Sequence, residues 1–536
     1  MEQEQSVSDL AYRLKVFRQI GLAKPQLPHR LAIAGYQLMK WGPGFPAAMA
    51  AGAARFPKQT AIIDDLGEIT WAELRDQINQ LTHALNERGV ETGDSVALLA
   101  RNHRYIVMAM IAIMQAGARV LLLNTMASGS QLTELATREG AKFIILDEEF
   151  LPVAEKVDND QLLLAWTESD DHDIPSVADL LEGHSTKQPT KPEKPGTVII
   201  FTSGTTGLPK GAQRSEPEGL DPLVAFFGAI PYRGNSTIVL GAPLFHSWGL
   251  INFSFGLSTV PTYVMRRKFK ADQVLEDIEK YKAEALVVVP LMMQRLVDAE
   301  RAGEADVSSL RITAASGSAL AGELATKYMD TFTDSVYNFY GATETGWVTI
   351  ASPEDLRAAP GTAGRPPWHT TVRILADGKE VEQGETGTIY VANDMPFGGY
   401  TDGNTKEFAD DLMSTGDLGH FDEDGRLFVS GRDDDMVISG GENVFPRELE
   451  DVLIDHDDIT DVVVTGVDDK DWGQALAAYI VTKDGASLEH DDVVAYAKER
   501  VARFAVPRKT MFLDELPRNP TGKVMKRELP DFDDED

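Results

Sequence analysis

A short apolar run that leads into a loop of glycines and hydroxyls constrains this chain more than any other feature. Residues 197–201, Thr-Val-Ile-Ile-Phe, are rich in β-branched side chains and predict a buried strand. The loop that follows, Thr-Ser-Gly-Thr-Thr-Gly-Leu-Pro-Lys-Gly, runs from Thr202 to Gly211. Glycines let a backbone turn its N–H groups inward, and hydroxyls add further donors, so the loop suits an anion such as phosphate. Lys210 adds one positive charge to this predicted site.

The loop differs from the Walker A loop, which requires G-x-x-x-x-G-K-[ST]. Gly204 and Gly207 are too close together for that pattern, and a glycine follows Lys210. This difference argues against a P-loop kinase or hydrolase. The chain also lacks the G-x-S-x-G and H-E-x-x-H patterns of serine hydrolases and zinc proteases. For the loop taken alone, an ordinary structural turn is the alternative to an anion site.

Composition excludes several classes of function. With 536 residues, the chain is long enough for two or more domains. It contains no cysteine, so any thiol chemistry must use the thiol of a cosubstrate. The net charge of −33 argues against nucleic-acid binding, which needs a basic surface. Because neither a signal peptide nor an 18-residue apolar run is visible, we expect a cytoplasmic protein. The oligomeric state is left open.

The N-terminal region is an exception to this acidity. Residues 10–63 contain no Asp or Glu, although the whole chain has 84 acidic residues. The basic residues of this stretch are Arg13, Lys15, Arg18, Lys24, Arg30, Lys40, Arg55 and Lys58. Apolar residues recur at near-helical spacing between Leu10 and Leu22 and predict a helix. This helix either docks on the body of the protein or makes a weak contact with the inner membrane face.

Strand-like and helical segments alternate over residues 60–190, which is typical of parallel α/β layers. Ser95–Leu99 is predicted to be a short buried strand, and Tyr105–Met114 a buried helix. Thr70 is followed three residues later by Glu73, which predicts a capping box at a helix start.

A domain boundary is predicted where the pattern changes near residue 432. Residues 372–394 are already more β-like than the preceding part. Beyond the boundary, the sequence predicts two strands and a helix, at Asp461–Val467, Ala475–Thr482 and 491–504. We therefore expect an N-terminal domain of residues 1–431 and a C-terminal α+β domain of residues 432–536.

Other segments combine glycine, hydroxyl, aromatic and charged residues in loops. They are Pro243–Gly249, Ala315–Leu320, Tyr340–Gly346, Ser414–Gly419, Gly431–Pro446 and Pro517–Lys526. In the third of these, Tyr340 offers an aromatic face for a base, Thr343 a hydroxyl donor, and Glu344 a carboxylate of the kind that binds Mg²⁺. Taken singly, each segment has an ordinary structural alternative, such as a solvated carboxylate, a core histidine or a plain turn.

Together and in this order, the segments resemble the signatures of the adenylate-forming superfamily of acyl- and aryl-CoA synthetases, peptide-synthetase adenylation domains and firefly luciferase. The resemblance covers residues 55–530 and is strongest to bacterial medium- and long-chain fatty acyl-CoA synthetases. It implies α/β and α+β architecture: a large N-terminal domain of layered sheets with a β-barrel-like part, and a small mobile C-terminal domain. One departure is Met413, which stands where an aromatic residue often precedes the fourth segment.

The resemblance also implies roles for individual residues. The ATP-binding residues would be Thr202, Ser203, Gly204, Thr205, Thr206, Gly207, Lys210, Gly317, Ser318, Ala319, Asn338, Tyr340, Gly341, Thr343, Asp417, Arg432 and Lys523. The acid or CoA would contact His246, Trp248, Gly317, Gly440 and Gly441. Lys523, Glu344 and Thr343 would be catalytic, Glu344 and Thr205 would bind Mg²⁺, and Asp434 would be the hinge.

The implied reaction is ATP-dependent activation of a fatty acid to acyl-AMP, followed by thioester formation with CoA. The largely apolar segment Phe253–Leu257 favours medium or long fatty acids. The alternatives are an aryl or short-chain acid–CoA ligase, a ligase that passes acyl-AMP to a carrier protein, and an inert lipid-binding scaffold.

Overall fold

The computed structural model of the protein describes most of the chain. The described residues are 2–22, 27–42, 44–168, 173–202, 210–214, 219–395, 397–432, 435–439, 442–469, 472–483, 485–520 and 522–532. Among them, no helix combines the length and the apolar character needed to cross a bilayer.

The α-helices of the described residues are α1 (Glu2–Gln19), α2 (Pro28–Trp41), α3 (Phe45–Arg55), α4 (Trp71–Glu87), α5 (Arg104–Gln115), α6 (Gly129–Arg138), α7 (Val177–Leu181), α8 (Asp221–Ala229), α9 (Ser247–Gly256), α10 (Ala271–Tyr281), α11 (Pro290–Val297), α12 (Gly322–Thr331), α13 (Pro353–Ala358), α14 (Pro446–Leu453) and α15 (His490–Lys498).

The strands are β1 (Thr60–Asp64), β2 (Gly67–Thr70), β3 (Ser95–Leu99), β4 (Arg119–Leu122), β5 (Ala141–Leu146), β6 (Leu162–Leu164), β7 (Val198–Thr202), β8 (Lys210–Arg214), β9 (Thr237–Leu240), β10 (Thr262–Met265), β11 (Ala285–Val288), β12 (Ile312–Ala315), β13 (Val336–Tyr340), β14 (Thr349–Ala351), β15 (Thr371–Ala376), β16 (Lys379–Glu380), β17 (Gly387–Ala392), β18 (Phe397–Tyr400), β19 (Phe408–Ala409), β20 (Leu412–Phe421), β21 (Leu427–Arg432), β22 (Val437–Ser439), β23 (Glu442–Val444), β24 (Ile459–Asp469), β25 (Gly473–Thr482) and β26 (Lys509–Phe512).

Two largely parallel sheets form the body of the protein. The first has eight strands in the order β14-β13-β12-β11-β9-β10-β1-β2, and the second has seven in the order β18-β8-β7-β4-β3-β5-β6. The central strands are apolar along their whole length because both sheet faces are covered. The largest apolar core joins residues of both sheets to α4 and α5. The layered α/β architecture predicted for residues 60–190 is confirmed.

Local signals in the sequence set several of these elements. Thr70 and Glu73 form the predicted capping box: the Thr70 side chain accepts from the Glu73 amide, and the Glu73 carboxylate accepts from the Thr70 amide at 2.9 Å. Ser95–Leu99 is β3 with the predicted limits. The segment around Tyr105–Met114 is α5, which is buried on all sides because it is apolar on all sides.

Two smaller sheets follow the body. The region around residues 372–394 belongs to an antiparallel sheet of six strands, β16-β15-β17-β20-β19 with β21 on β20, and this is the part predicted to be β-barrel-like. The last sheet, β23-β22-β25-β24 with β26 on β25, carries α14 and α15 and has its own apolar core. The predicted α+β character of this small unit is confirmed. The boundary predicted at residues 431 and 432 falls at the end of β21 and stays a prediction.

One predicted element is shorter in the structure. The helix expected over residues 491–504 is α15, which ends at Lys498, and a 3-10 turn follows at Arg503–Ala505. The chain leaves the helix there so that Val501 and Phe504 pack against the core of the small unit. Tertiary packing therefore overrides the local helical pattern.

Candidate active site

The predicted site residues collect at the carboxyl ends of neighbouring parallel strands. The loops after β9, β11, β12 and β13 leave the same edge of the first sheet, because these four strands run parallel and side by side. The loops after β9, β12 and β13 contain His246, Gly317 and Glu344, and the chain after β11 enters α11, which carries Leu291 in its first turn. In open α/β sheets the carboxyl edge is where ligands bind, so the topology alone brings three of the predicted segments together, those that follow β9, β12 and β13.

The glycine–hydroxyl loop is anchored at both ends. β7 ends at Thr202, and its antiparallel partner β8 begins at Lys210, directly opposite Thr202 in the register. The predicted residues Ser203, Gly204, Thr205, Thr206 and Gly207 lie outside the described residues. The Lys210 ammonium lies 5.3 Å from the ring centre of Tyr400 and 3.9 Å from a carboxylate oxygen of Asp402.

The segment after β13 folds into a tight turn. Gly341 has no room for a side chain, since a Cβ there would lie 2.0 Å from the carbonyl oxygen of Gly346. The turn places Thr343 and Glu344 in a nearly enclosed position, where each is 8% exposed. The Thr343 hydroxyl donates to the Ser247 hydroxyl at 3.2 Å, which ties this turn to the start of α9.

Tyr400 is a site residue that the sequence analysis missed. Its hydroxyl donates to the Glu344 carboxylate at 2.5 Å, and burial together with this carboxylate raises the pKa of the Tyr400 hydroxyl. Tyr400 ends β18, which pairs with β8 directly after the glycine–hydroxyl loop. The contact spans two sheets, and no local pattern around Tyr400 could have indicated it.

A second tyrosine–carboxylate pair lies beside the first. The Tyr340 hydroxyl donates to Asp417 at 2.5 Å, and burial followed by the Asp417 charge raises the Tyr340 pKa well above its ordinary value. Asp417 on β20 faces Arg432 on β21 in the strand register. A Cβ on the intervening Gly416 would lie 3.6 Å from a guanidinium nitrogen of Arg432. Tyr340, Asp417 and Arg432, which are far apart in sequence, therefore form one cluster.

His246 caps the N-terminus of α9. Its Nδ1 accepts from the Trp248 amide at 3.4 Å, which leaves the proton of a neutral imidazole on Nε2. Burial, together with the positive charge of the nearby Lys523 ammonium, lowers the His246 pKa to about 4. His246 is therefore neutral near pH 7.

Lys523 reaches this site from the small unit. The preceding Gly522 has a φ of +81°, and a Cβ there would lie 3.0 Å from Cβ of Leu291 at the start of α11. The Lys523 amide donates to the side chain of Asn519 at 2.9 Å, which closes the turn that carries the lysine. The predicted catalytic lysine thus lies close enough to His246 to lower its pKa, although the two residues are 277 positions apart in the sequence.

Trp248 lies in the interior beside the same site. It is 2% exposed, its indole N–H donates to the Val288 carbonyl at 2.9 Å, and its ring centre lies 4.8 Å from that of Phe339. Trp248 is therefore held in a fixed position in the interior, and its predicted contact with the acid or CoA stays a prediction.

The other predicted residues divide into two groups. Gly317 follows β12 with a φ of +97°, Ser318 and Ala319 come next, and the Asn338 amide donates to the Thr362 carbonyl at 3.3 Å. Gly440, Gly441 and the predicted hinge residue Asp434 lie outside the described residues.

Two family models and several known proteins match this chain. The family model described as AMP-binding enzyme matches residues 49–401, and the model described as AMP-binding enzyme C-terminal domain matches residues 448–523. The chain is 32% identical over 485 residues to an indoleacetate–CoA ligase from Aromatoleum aromaticum, with 88% of this chain and 95% of that protein covered. It is 29% identical over 500 residues to a fatty acid–[acyl-carrier-protein] ligase, ScoC, from Streptomyces coeruleorubidus, with coverage of 89% and 93%.

The fold agrees with these matches. The structure of o-succinylbenzoate CoA synthetase from Bacillus subtilis, in complex with its acyl-adenylate intermediate, superimposes with a TM-score of 0.79 at 28% identity, covering 90% of this chain and 98% of that one. The expected class, an AMP-forming acid–thiol ligase, is confirmed by these comparisons. The chain belongs to the AMP-binding enzyme family, within the adenylate-forming superfamily.

Proposed function

We propose that this protein activates an aromatic or other ring-bearing carboxylic acid with ATP and transfers the acyl group to the thiol of CoA. The observation that carries the proposal is the approach of Lys523, from the small unit, to His246 at the carboxyl edge of the first sheet. This arrangement would supply an ammonium close to where a carboxylate and a nucleotide phosphate would meet, because the turn that carries Lys523 packs against Leu291 at the same edge of the sheet.

The ring-bearing substrate is proposed in place of the medium or long fatty acid that the sequence favours. The relatives named for indoleacetate and o-succinylbenzoate both act on ring-bearing acids. In this chain, Trp248 is held in place by its bond to Val288 and lies against Phe339. A fixed indole so close to His246 takes up space that a long chain would need, which favours a flat, compact acid.

In the first step, a carboxylate oxygen of the acid attacks the α-phosphorus of ATP. The new bond gives acyl-AMP, and the bond between the α-phosphorus and the bridging oxygen breaks to release pyrophosphate. Lys210 and the loop of residues 202–211 would bind the leaving phosphates, and Asp417 would accept from the ribose hydroxyls. Lys523 would balance the charge that develops between the two anionic reactants.

The carboxylate of Glu344 is a suitable ligand for a magnesium ion. Mg²⁺ usually takes one or two protein carboxylates together with substrate phosphate oxygens. Glu344 is a nearly buried carboxylate whose orientation is fixed by the Tyr400 hydroxyl. Glu344 would therefore hold the ion, with Thr205 as the second predicted ligand, and the ion would neutralise phosphate charge.

In the second step, the CoA sulfur attacks the carbonyl carbon of the adenylate. The thioester bond forms, AMP leaves with the bonding electrons, and the thiol proton is released. Lys523 has no role in this step, so the small unit would turn about the predicted hinge at Asp434 and carry the lysine away. Gly440 and Gly441 would then let the pantetheine arm pass close to the backbone.

A panel of acids tests this proposal. Pyrophosphate release should be measured with indoleacetate, phenylacetate, benzoate, hexanoate and palmitate, each with and without CoA. We expect the highest kcat/KM with a ring-bearing acid and a CoA-dependent thioester product. A clear preference for palmitate would contradict the substrate class.

The same panel separates the alternative acceptors. The carrier-protein ligase among the relatives makes that acceptor the second candidate. Acyl-AMP that accumulates without consuming CoA, and that is consumed when a phosphopantetheinylated carrier protein is added, would favour it. Absence of acid-dependent exchange between ATP and pyrophosphate would instead indicate the inert scaffold.

A further inference from the structure

The outer face of α2 presents apolar side chains to solvent. The exposed members are Leu31, Ile33, Tyr36, Leu38 and Met39, which range from 43% to 86% exposed. The opposite face packs inward through Ala34 and Trp41, which are 5% and 7% exposed. A helix at the surface of a protein in water normally turns polar residues outward, so this face is suited to a partner that is itself apolar.

Exposed large hydrophobic side chains are concentrated in the N-terminal part of the described residues. Of thirteen large hydrophobic side chains that are exposed among the described residues, eight fall between Leu10 and Met39. The others are scattered singly, as at Leu66 and Met126. Scattered apolar residues need no explanation, whereas a cluster on one helix does.

A lysine-bearing segment lies beside the apolar face of α2. The segment 184–195 lies beside α2, because the Gln188 side chain donates to Gln37 at 2.8 Å and accepts from Lys40 at 2.9 Å. This segment carries Lys187, Lys191 and Lys194, all exposed, and a single acidic residue, Glu193. Residues 10–63, which include α2, contain no acidic residue in a chain whose net charge is −33.

We propose that the outer face of α2 docks on an anionic lipid surface. The apolar side chains would enter the boundary between headgroups and acyl chains, and the lysines of segment 184–195 would contact the anionic headgroups. The remainder of the chain is strongly acidic and would be repelled by the same surface, which favours an approach through this face.

The positive charge of segment 184–195 favours a lipid surface over a second copy of the chain as the partner of this face. A symmetric dimer through this face would bring the basic segment of one copy close to that of the other, and like charges oppose such an interface. An anionic membrane is apolar inside and negative at its surface, which matches both properties of the face.

Vesicle sedimentation of the full chain tests the proposal. Wild type is expected to sediment with vesicles of phosphatidylcholine and phosphatidylglycerol but not with phosphatidylcholine alone. The triple variant Leu31→Ser, Tyr36→Ser, Met39→Ser should bind at least about 10-fold more weakly, because each apolar side chain contributes to insertion.

A second variant and a control variant separate the contribution of the apolar side chains from that of the lysines. Replacing Lys187, Lys191 and Lys194 with Glu should weaken binding by at least about 100-fold at low salt, since each lysine near an anionic surface adds about fivefold. The control variant, Leu66→Ser with Met126→Ser, removes exposed apolar residues elsewhere and should bind like wild type.

Three results would overturn the proposal: no binding of wild type to anionic vesicles, unchanged binding of both triple variants, or a wild-type dimer in sedimentation velocity that the serine variant dissociates. Ligase activity without vesicles should be equal in all variants, because none of the substituted residues belongs to the active site. If the wild-type chain shows no ligase activity with any acid, the proposed function is wrong, whereas the vesicle-binding result still stands.

Discussion

Tyr400→Phe removes one hydroxyl and tests whether that hydroxyl orients the Glu344 carboxylate. The bond is 2.5 Å long, one partner is a carboxylate, and Glu344 is 8% exposed. A hydrogen bond to a charged group of this kind contributes about 1.5–3 kcal/mol. If this energy is used to hold Glu344 for the metal and phosphates, adenylation should fall by about 10- to 100-fold.

The assay is acid-dependent exchange between ATP and pyrophosphate at several Mg²⁺ concentrations. Because Tyr400 acts through Glu344, the apparent Mg²⁺ requirement should rise while the KM for the acid stays nearly constant. A purely structural role for Tyr400 would not change the Mg²⁺ dependence selectively.

The chain offers a matched control. The Tyr390 hydroxyl also donates to a carboxylate, that of Glu407, at 3.1 Å. Tyr390→Phe should therefore have a similar effect on stability and leave the Mg²⁺ requirement unchanged. The reasoning fails if Tyr400→Phe behaves like Tyr390→Phe, or if its exchange rate equals that of wild type.

Three further predictions concern the same site. Lys523→Ala should slow adenylation by about 10²–10³-fold and spare thioester formation from supplied acyl-AMP, with the exposed Arg527→Ala as control; equal loss of both steps would contradict a lysine that serves only the first. The His246 pKa of about 4 lies below the ordinary value, so the unfolded chain binds a proton that the folded chain does not, and stability should fall as pH drops from about 6.5 to 4, by at most ~3 kcal/mol. Urea titrations should show a smaller fall in His246→Gln, and an identical fall in both proteins would refute the assignment. Trp248→Leu should raise kcat/KM for octanoate relative to indoleacetate, and an unchanged ratio would show that the indole does not limit substrate length.

Secondary structure could be predicted from the sequence where residues close together in the chain determine it. The capping box at Thr70 depends on side chains three residues apart, and β3 depends on a run of apolar residues, so both are visible in the sequence. The end of α15 depends on how Val501 and Phe504 meet a core built from other strands. Such an ending cannot be derived from helical periodicity.

The site was predictable as a set of segments but not as a set of contacts. Glu344, Asp417 and Lys523 lie in recognisable segments, and the structure brings each of them to the same region. Their partners are set by sheet pairing: Tyr400 reaches Glu344 only because β18 joins the edge of the second sheet. The substrate class was harder to predict, since the space for the acid depends on how Trp248 lies in the interior.

The pairing of β8 with β18 has a consequence for chimeric enzymes. β8 begins where the glycine–hydroxyl loop ends, and the Thr401 amide that follows β18 donates to the Gly211 carbonyl at 2.8 Å. A loop transplanted from a relative would therefore arrive without the strand that braces its far end. The strands β7, β8 and β18 pair with one another although they come from two stretches of the gene, so recombination between family members should exchange both stretches together.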